Sequence, residues 1–157
     1  MPSIAAHMAL AKLISEKNDF NKEEFIRGNL LPDIIDGDSH KKIKGKVFCI
    51  PDIDYFMNTL DLSNALYLGY LSHLLLDKYY LEEFLPSNNI DTSLFANKTI
   101  YEEYSIINYK LVKKFDLDVD YLKKVLSDYN VPINKEKLDF NLKFLRSEEH
   151  TSELQSH

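Results

Sequence analysis

The spacing of apolar residues along the chain predicts helices throughout. Apolar positions recur at intervals of three and four residues, which is the period of a helix with one buried face. We find no alternating apolar and polar run that would indicate a strand, and no internal repeat or low-complexity segment. The pattern therefore predicts an all-α, single-domain helical bundle. Its helices are expected to begin near Ser3, Asn21, Asp52, Ser63, Thr99, Val119 and Asn134.

The boundaries of the second helix are predicted from its capping residues. Asn21 with Glu24 three residues later forms a capping box at its start. Gly28 and Asn29 are expected to end it, because both residues favour the left-handed conformation of a C-terminal cap. Pro32 then prevents the helix from resuming. A loop is expected to follow, over residues 33–46.

The helix predicted from about residue 63 to residue 84 should be the long, buried centre of the bundle. Its opposite side carries further leucines (Leu68, Leu71 and Leu75), so we expect burial around most of its circumference. A histidine and an aspartate nevertheless lie on its main apolar stripe. The residues of that stripe are Leu66, Tyr70, His73, Asp77, Tyr80 and Phe84.

The composition narrows the class of protein. A chain of 157 residues fits one domain, and a hydrophobic content of 45% is typical of a folded globular protein. The net charge of −6 argues against general nucleic-acid binding, because no basic stripe is available to neutralise phosphates. Cys49 is the only cysteine, so no intrachain disulfide is possible, and its context VFCIP predicts a buried apolar residue.

Nothing in the sequence predicts a transmembrane segment or a secretory signal. The longest apolar run, from Ala65 to Leu76, is interrupted by Ser72 and His73 and is too short to cross a bilayer. The N-terminal segment lacks the basic start and the continuous apolar run of a signal peptide. We therefore expect a cytoplasmic protein.

The last twelve residues, Arg146 to His157, differ in composition from the chain before them. The preceding sequence is rich in Lys, Asn, Ile, Tyr and Phe, and this tail contains none of them. RSEEHTSELQS also resembles the translation of a short-read sequencing adapter. We expect residues 1–145 to form the domain, with a C-terminal truncation left open, and 146–157 to be a non-native tail. The native histidines are then His7, His40 and His73.

Histidines and carboxylates in the first half of the chain predict a metal site. His73 and Asp77 lie four residues apart, with Cβ atoms roughly 6 Å apart on one side of a helix, so both can bind one ion. Asp33 follows a proline at a helix exit, and His40 lies seven residues later in the predicted loop. His7 lies on a separate helix. Imidazole nitrogens and carboxylate oxygens suit Zn²⁺, and also Mn²⁺ or Fe.

Each of these residues also has a simpler interpretation. A lone histidine on an apolar face is more often a core residue, Asp77 could pair with Lys78 on the surface, and Asp33 could cap a turn. An ionised aspartate on a mostly apolar helix, however, needs a compensating charge, and no arginine shares that face. A metal ion would supply the charge, so the joint pattern favours a metal site.

The order of these segments resembles the zinc-dependent phospholipase C family and, more distantly, the single-strand nucleases. The segments are MPS…H, GNLLPDI, SH, PDI and LGYLSHLLLDKYY, and they cover roughly the first 86 residues. The resemblance implies a helical protein with a cluster of three zinc ions that hydrolyses phosphoesters.

The same resemblance implies roles for individual residues. Asp33, His40, His73 and Asp77 would form a four-ligand zinc site, and Asp77 would bridge to a second metal that also binds His7. Asp33 would be a candidate general base, with a metal-activated water as the nucleophile.

The sequence also departs from that family. The family's remaining metal uses two histidines and a glutamate downstream, whereas no histidine of residues 1–145 follows His73. The secreted members use the amino group of an N-terminal tryptophan, whereas this chain begins Met-Pro. We therefore expect a reduced site with one or two metal ions. The nearby glutamate candidates are Glu82, Glu83, Glu102 and Glu103.

Two classes of function remain open. One is a zinc-dependent phosphoester hydrolase that acts on a small phosphoester, a nucleotide or a phospholipid headgroup. The other is a non-catalytic helical protein with a structural or lost metal site, acting as a binding module. An HD-type phosphohydrolase is disfavoured, because the adjacent His-Asp pair that it requires is absent from the sequence. The oligomeric state is left open.

Overall fold

The computed structural model describes residues 3–40, 50–89, 98–127 and 133–145. The all-α prediction is confirmed, since no strand occurs within those ranges; Ile35 and Ile133 form an isolated bridge. A 3₁₀ turn, Leu31–Asp33, follows the second helix, and the fourth continues through a π-helical turn, Tyr80–Phe84, into Leu85–Ser87. The helices are α1 (Ile4–Lys17), α2 (Lys22–Leu30), α3 (Ile53–Thr59), α4 (Ala65–Tyr79), α5 (Lys98–Phe115), α6 (Val119–Ser127) and α7 (Lys135–Leu145).

Side-chain caps start the helices largely where the sequence predicts. Three predicted caps accept a hydrogen bond from a backbone N–H of the first turn, at 3.1–3.3 Å. The prediction at α4 is wrong by one residue, because Asn64 is the cap and the Ser63 hydroxyl donates to Asp61 instead. The three confirmed caps are Ser3, Asn21 and Asp52.

The predicted end of α2 at Gly28 and Asn29 is wrong, because the helix continues to Leu30. Gly28 is buried inside the helix, and its role is to let α2 approach α4. A Cβ atom at Gly28 would lie 1.8 Å from the carbonyl oxygen of Leu66 on α4. The absence of a side chain serves close packing here and not a left-handed cap.

A second glycine makes the same contact from the other helix. A Cβ atom at Gly69 of α4 would lie 2.0 Å from the carbonyl oxygen of Phe25 and 2.9 Å from the backbone nitrogen of Asn29. The two helices therefore pack backbone against backbone. α1 packs against this pair and against α5, and α7 packs against α5.

The central position of α4 is confirmed, but its burial is less complete than expected. Leu66, Tyr70 and Leu71 are buried, whereas Leu75 is 46% exposed. Leu75 lies on the side of the helix turned away from His73, as the helical period dictates. The last residue of the predicted apolar stripe, Phe84 in the π-helical turn after α4, is 40% exposed.

Two predictions lie outside the described residues, namely the burial of Cys49 and the status of the tail 146–157. Within the described part of the chain, no helix combines the length and the apolar character that crossing a bilayer requires.

The substitution Gly69→Ala should destabilise the fold by about 2–3 kcal/mol, because the added methyl group meets backbone atoms that cannot move without separating α2 from α4. Leu75→Ala on the exposed side of the same helix is the control, with an expected change within about 0.5 kcal/mol. Chemical denaturation of both variants measures the difference. Equal stability of Gly69→Ala and wild type would contradict the close packing described above.

Candidate metal centre

The five predicted site residues lie together in the fold. His7 comes from α1, Asp33 from the 3₁₀ turn after α2, and His40 from the segment that follows, while His73 and Asp77 lie on α4. The three site residues on α1 and α4 are almost fully buried: His7 and His73 are 1% exposed, and Asp77 is 2% exposed. Asp33 and His40 are partly exposed and form the accessible edge of the cluster. The simpler interpretation, in which Asp77 pairs with Lys78 on the surface, is therefore wrong, and Lys78 pairs with Glu82.

Two histidine nitrogens and two carboxylates converge at the centre of the cluster. Oδ1 of Asp33 lies 3.5 Å from Nε2 of His40 and 3.4 Å from Nε2 of His73. Oδ2 of Asp77 lies 3.4 Å and 3.2 Å from the same two nitrogens. Ligand atoms about 2.0–2.2 Å from a tetrahedral zinc ion are separated from one another by about 3.3–3.6 Å. Ligand atoms of His40, His73 and Asp77 lie within 4.8 Å of one another, so these three residues could hold a metal ion.

The orientation of His73 is fixed by the backbone of α2. Its Nδ1 lies 2.7 Å from the carbonyl oxygen of Asn29. A carbonyl can only accept, so Nδ1 carries the hydrogen and the neutral ring presents the lone pair of Nε2 to the carboxylates. This is the arrangement in which a second residue orients a metal-binding histidine.

His40 is oriented in the same sense by Ser39. The Ser39 hydroxyl donates to the carbonyl oxygen of Pro32 at 2.7 Å and lies 2.8 Å from Nδ1 of His40. Since its one hydrogen is used, it accepts from Nδ1, and Nε2 of His40 is again the lone-pair nitrogen in the neutral ring. The hydroxyl of Tyr70 on α4 donates to the carbonyl oxygen of Ser39 and so anchors this segment to the central helix.

The converging atoms need positive charge at their centre. Nε2 of His40, Nε2 of His73 and Oδ2 of Asp77 are buried and make no hydrogen bond, although each lies within 3.5 Å of its neighbours. Two neutral imidazoles would direct lone pairs at two ionised carboxylates, which is unfavourable in a buried site. Either two protons, one on each imidazole, or one divalent cation restores neutrality.

His7 contacts the other oxygen of Asp77. Its Nε2 lies 3.0 Å from Oδ1 of Asp77, and its ring stacks on that of His73 with centroids 3.5 Å apart and planes 3° apart. Its Nδ1 is buried without a partner. The Asp77 carboxylate is thus shared between His7 on one side and the other two histidines on the other side. Ligand atoms of His7, Asp33 and His73 also lie within 4.8 Å of one another.

Burial and mutual attraction set the charges of the cluster. Burial disfavours a charged His73, but the carboxylates of Asp33 and Asp77 outweigh it and raise the pKa of His73 to about 10. Burial likewise opposes ionisation of the two aspartates, and His73 more than compensates, so both carboxyl pKa values fall well below their usual range. The pKa of His40 is raised, since the nearby carboxylates outweigh its burial. The pKa of His7 is lowered by burial and by the charge on His73.

Residues of α7 and its N-terminal cap support the turn that carries Asp33. The backbone N–H of Asn134 donates to the carbonyl oxygen of Ile34 at 2.8 Å, and its side chain donates to Asp36 at 2.7 Å. The side chain of Asn141 donates to the carbonyl oxygen of Asp33 at 3.3 Å. The turn that carries Asp33 is therefore held between two helices that are far apart in the sequence.

The sequence did not single out the residues that orient the ligands. The Asn29 contact uses a backbone carbonyl, which any residue supplies, so no residue type could have indicated it. The role of Ser39 had a weak signal, since a hydroxyl residue next to a predicted ligand can orient it. Tyr70 was placed on the correct stripe of α4 but without a function.

The glutamates that could complete a further metal site do not join the cluster as far as the structure describes them. Glu82 is paired with Lys78, and Glu83 is exposed. The side chains of Glu102 and Glu103 lie outside the described residues.

Comparison of the chain with protein-family models, with curated proteins and with solved structures found no match. The assignment of the site therefore depends on its geometry and on the sequence pattern.

Zinc binding should release at least one proton per chain at pH 7.5. His73, with a pKa of about 10, is protonated in the metal-free protein at that pH, and a ligating imidazole must give up the proton. Affinity should consequently rise with pH, by about tenfold per unit for each proton displaced. Calorimetric titration with zinc in two buffers of different ionisation enthalpy counts the protons. Binding without proton release would contradict this charge state.

Removing the hydroxyl that orients His40 should weaken zinc binding by about tenfold, the lower end of the range for residues that orient ligands. The variant is Ser39→Ala, and competition with a chromogenic chelator measures the affinity. Ser87→Ala, at an exposed position after the π-helical turn, is the matched control and should bind zinc as the wild type does. Equal affinities of the two variants would show that Ser39 does not orient a ligand.

Proposed function

We propose that this chain is a metal-dependent phosphoester hydrolase and that zinc is the metal. The observation that carries the proposal is the convergence of Nε2 of His40, Nε2 of His73, an oxygen of Asp33 and an oxygen of Asp77, with separations of 3.2–3.5 Å. Two imidazoles and two carboxylates are a donor set that zinc favours. The resemblance to the zinc-dependent phospholipase C family, noted in the sequence, supports the same chemistry.

Four residues would bind the first ion, namely Asp33, His40, His73 and Asp77. His7, with the second oxygen of Asp77, would contribute to a second ion. A bound zinc ion supplies a water of lowered pKa and polarises a phosphoryl oxygen.

The protein's own residues would position and deprotonate that water. The Asp33 side chain is 24% exposed and lines a cavity of about 310 Å³ that also reaches His40. It is the carboxylate of the cluster that meets solvent, so it is placed to accept a proton from a water in that cavity. Asp77 is almost fully buried, and its role would be to hold His7, His40 and His73 in position.

A structural metal site in a non-catalytic binding module is the alternative function. One observation favours it, since four protein ligands around one ion complete a tetrahedral shell, as in structural zinc sites. Catalytic zinc sites instead keep one position for water or substrate. The partial exposure of Asp33 and His40 at the cavity favours catalysis, because an exposed ligand can yield its position to substrate.

Activity measured per bound zinc separates these two functions. We expect about one zinc or more per chain by elemental analysis after growth with zinc, and hydrolysis of at least one member of a phosphoester panel. Asp33→Asn should lower turnover per bound zinc by about 100-fold or more, because the base is lost. His73→Ala should lose both zinc and activity.

Asp19→Asn is the matched control, since Asp19 is exposed in the connection between α1 and α2, away from the cluster. It should keep the zinc content and the activity of the wild type. Zinc binding without any phosphoester activity would favour the structural alternative. A zinc content below about half an ion per chain would reject both forms of the metal proposal.

A further inference from the structure

We infer that Lys137 of α7 binds the phosphoryl group of the substrate, and that the site takes ligands with a single phosphoryl group. This inference rests on the proposed function, because it assigns a role to the cavity beside the metal cluster. The cavity measures about 310 Å³, which is at the lower end of the range for small-molecule sites.

The position of Lys137 relative to the cluster is the first argument. Lys137 lines the same cavity as Asp33 and His40, which are the two exposed members of the cluster. Among the described residues that line this cavity, it is the only lysine or arginine. A phosphoryl group that contacts a metal at Asp33 and His40 would therefore lie in the same cavity as this ammonium group. A lysine ammonium is a common partner of phosphate oxygens.

The second argument is that Lys137 is held in place. Its ammonium group donates to the carbonyl oxygen of Ile35 at 2.9 Å and lies 3.7 Å from the carboxylate of Asp36. Both partners belong to the segment that directly follows Asp33. An ammonium group has three donors, so the contact with Ile35 leaves donors for a phosphate oxygen. The side chain is 45% exposed and can be reached from solvent.

The charge of the cavity argues for one phosphoryl group and not several. Asp38 lines the same cavity, so it offsets the charge of Lys137. The metal charge in turn offsets Asp33 and Asp77 of the cluster. A polyphosphate would add negative charge that no described residue of the cavity compensates, and the Asp38 carboxylate would repel it.

Inorganic phosphate and tripolyphosphate are the probes, and calorimetric titration of the zinc-loaded protein is the measurement. We expect phosphate to bind the wild type and tripolyphosphate to bind no more tightly. Lys137→Met should weaken phosphate binding by about tenfold, the value of one charge-assisted hydrogen bond at a partly exposed site, with zinc content unchanged. Lys137→Arg should retain most of the affinity. Lys135→Met, at an exposed position on the same helix, is the control and should bind as the wild type does.

The outcomes separate this inference from the proposed function. Unchanged phosphate affinity in Lys137→Met overturns the inference even when hydrolysis is observed. Tripolyphosphate binding at least tenfold tighter than phosphate overturns the restriction to one phosphoryl group. The titration is repeated without metal, where Lys137 keeps its charge. If the metal-free wild type binds phosphate and the Lys137→Met variant does not, the inference is supported even for a protein that binds no zinc. If the wild type binds phosphate neither with zinc nor without it, the inference is overturned.

Discussion

The close contact between α2 and α4 is the constraint on which the rest of the site depends. Gly28 and Gly69 each face a backbone carbonyl of the other helix at a distance that no Cβ atom could tolerate. This approach brings the carbonyl oxygen of Asn29 to within hydrogen-bonding distance of His73, and the ring is oriented by it. The same path of α2 delivers Asp33, one turn later, to the other nitrogen of that ring. A single packing geometry therefore fixes a ligand, its orientation and its neighbour.

Charge balance explains why so polar a cluster is tolerated in an apolar bundle. Asp77 is 2% exposed, and an ionised carboxylate at that depth requires compensation. Three histidines surround it, and two of them direct nitrogens without hydrogen bonds toward its Oδ2 and toward Asp33. Protonation or a divalent cation can supply the missing charge, and these alternatives compete for the same atoms. A cation that bound there would therefore have to displace protons from the histidines.

The asymmetry of the cluster bears on its chemistry. Its inner half, on α1 and α4, is almost inaccessible to solvent. Its outer half, Asp33 and His40, borders a cavity and is carried by irregular backbone that α7 and Tyr70 hold in place. Binding sites commonly place exposed functional groups on loops that a rigid scaffold supports. This division makes Asp33 and His40 the groups of the cluster that a solvent molecule can reach.

The sequence by itself determined the helical class, three of the helix caps and the placement of His73 and Asp77 on one side of α4, because these depend on interactions within a few residues. It also selected Asp33, His40 and His7 as candidate ligands through their order along the chain. Only the tertiary structure decided that they meet, since the contact between His7 and Asp77 joins residues 70 positions apart. It also assigned Gly28 to packing and not to a cap, and placed Lys137 beside the cavity. Those outcomes depend on how helices approach each other, and no local pattern encodes that distance.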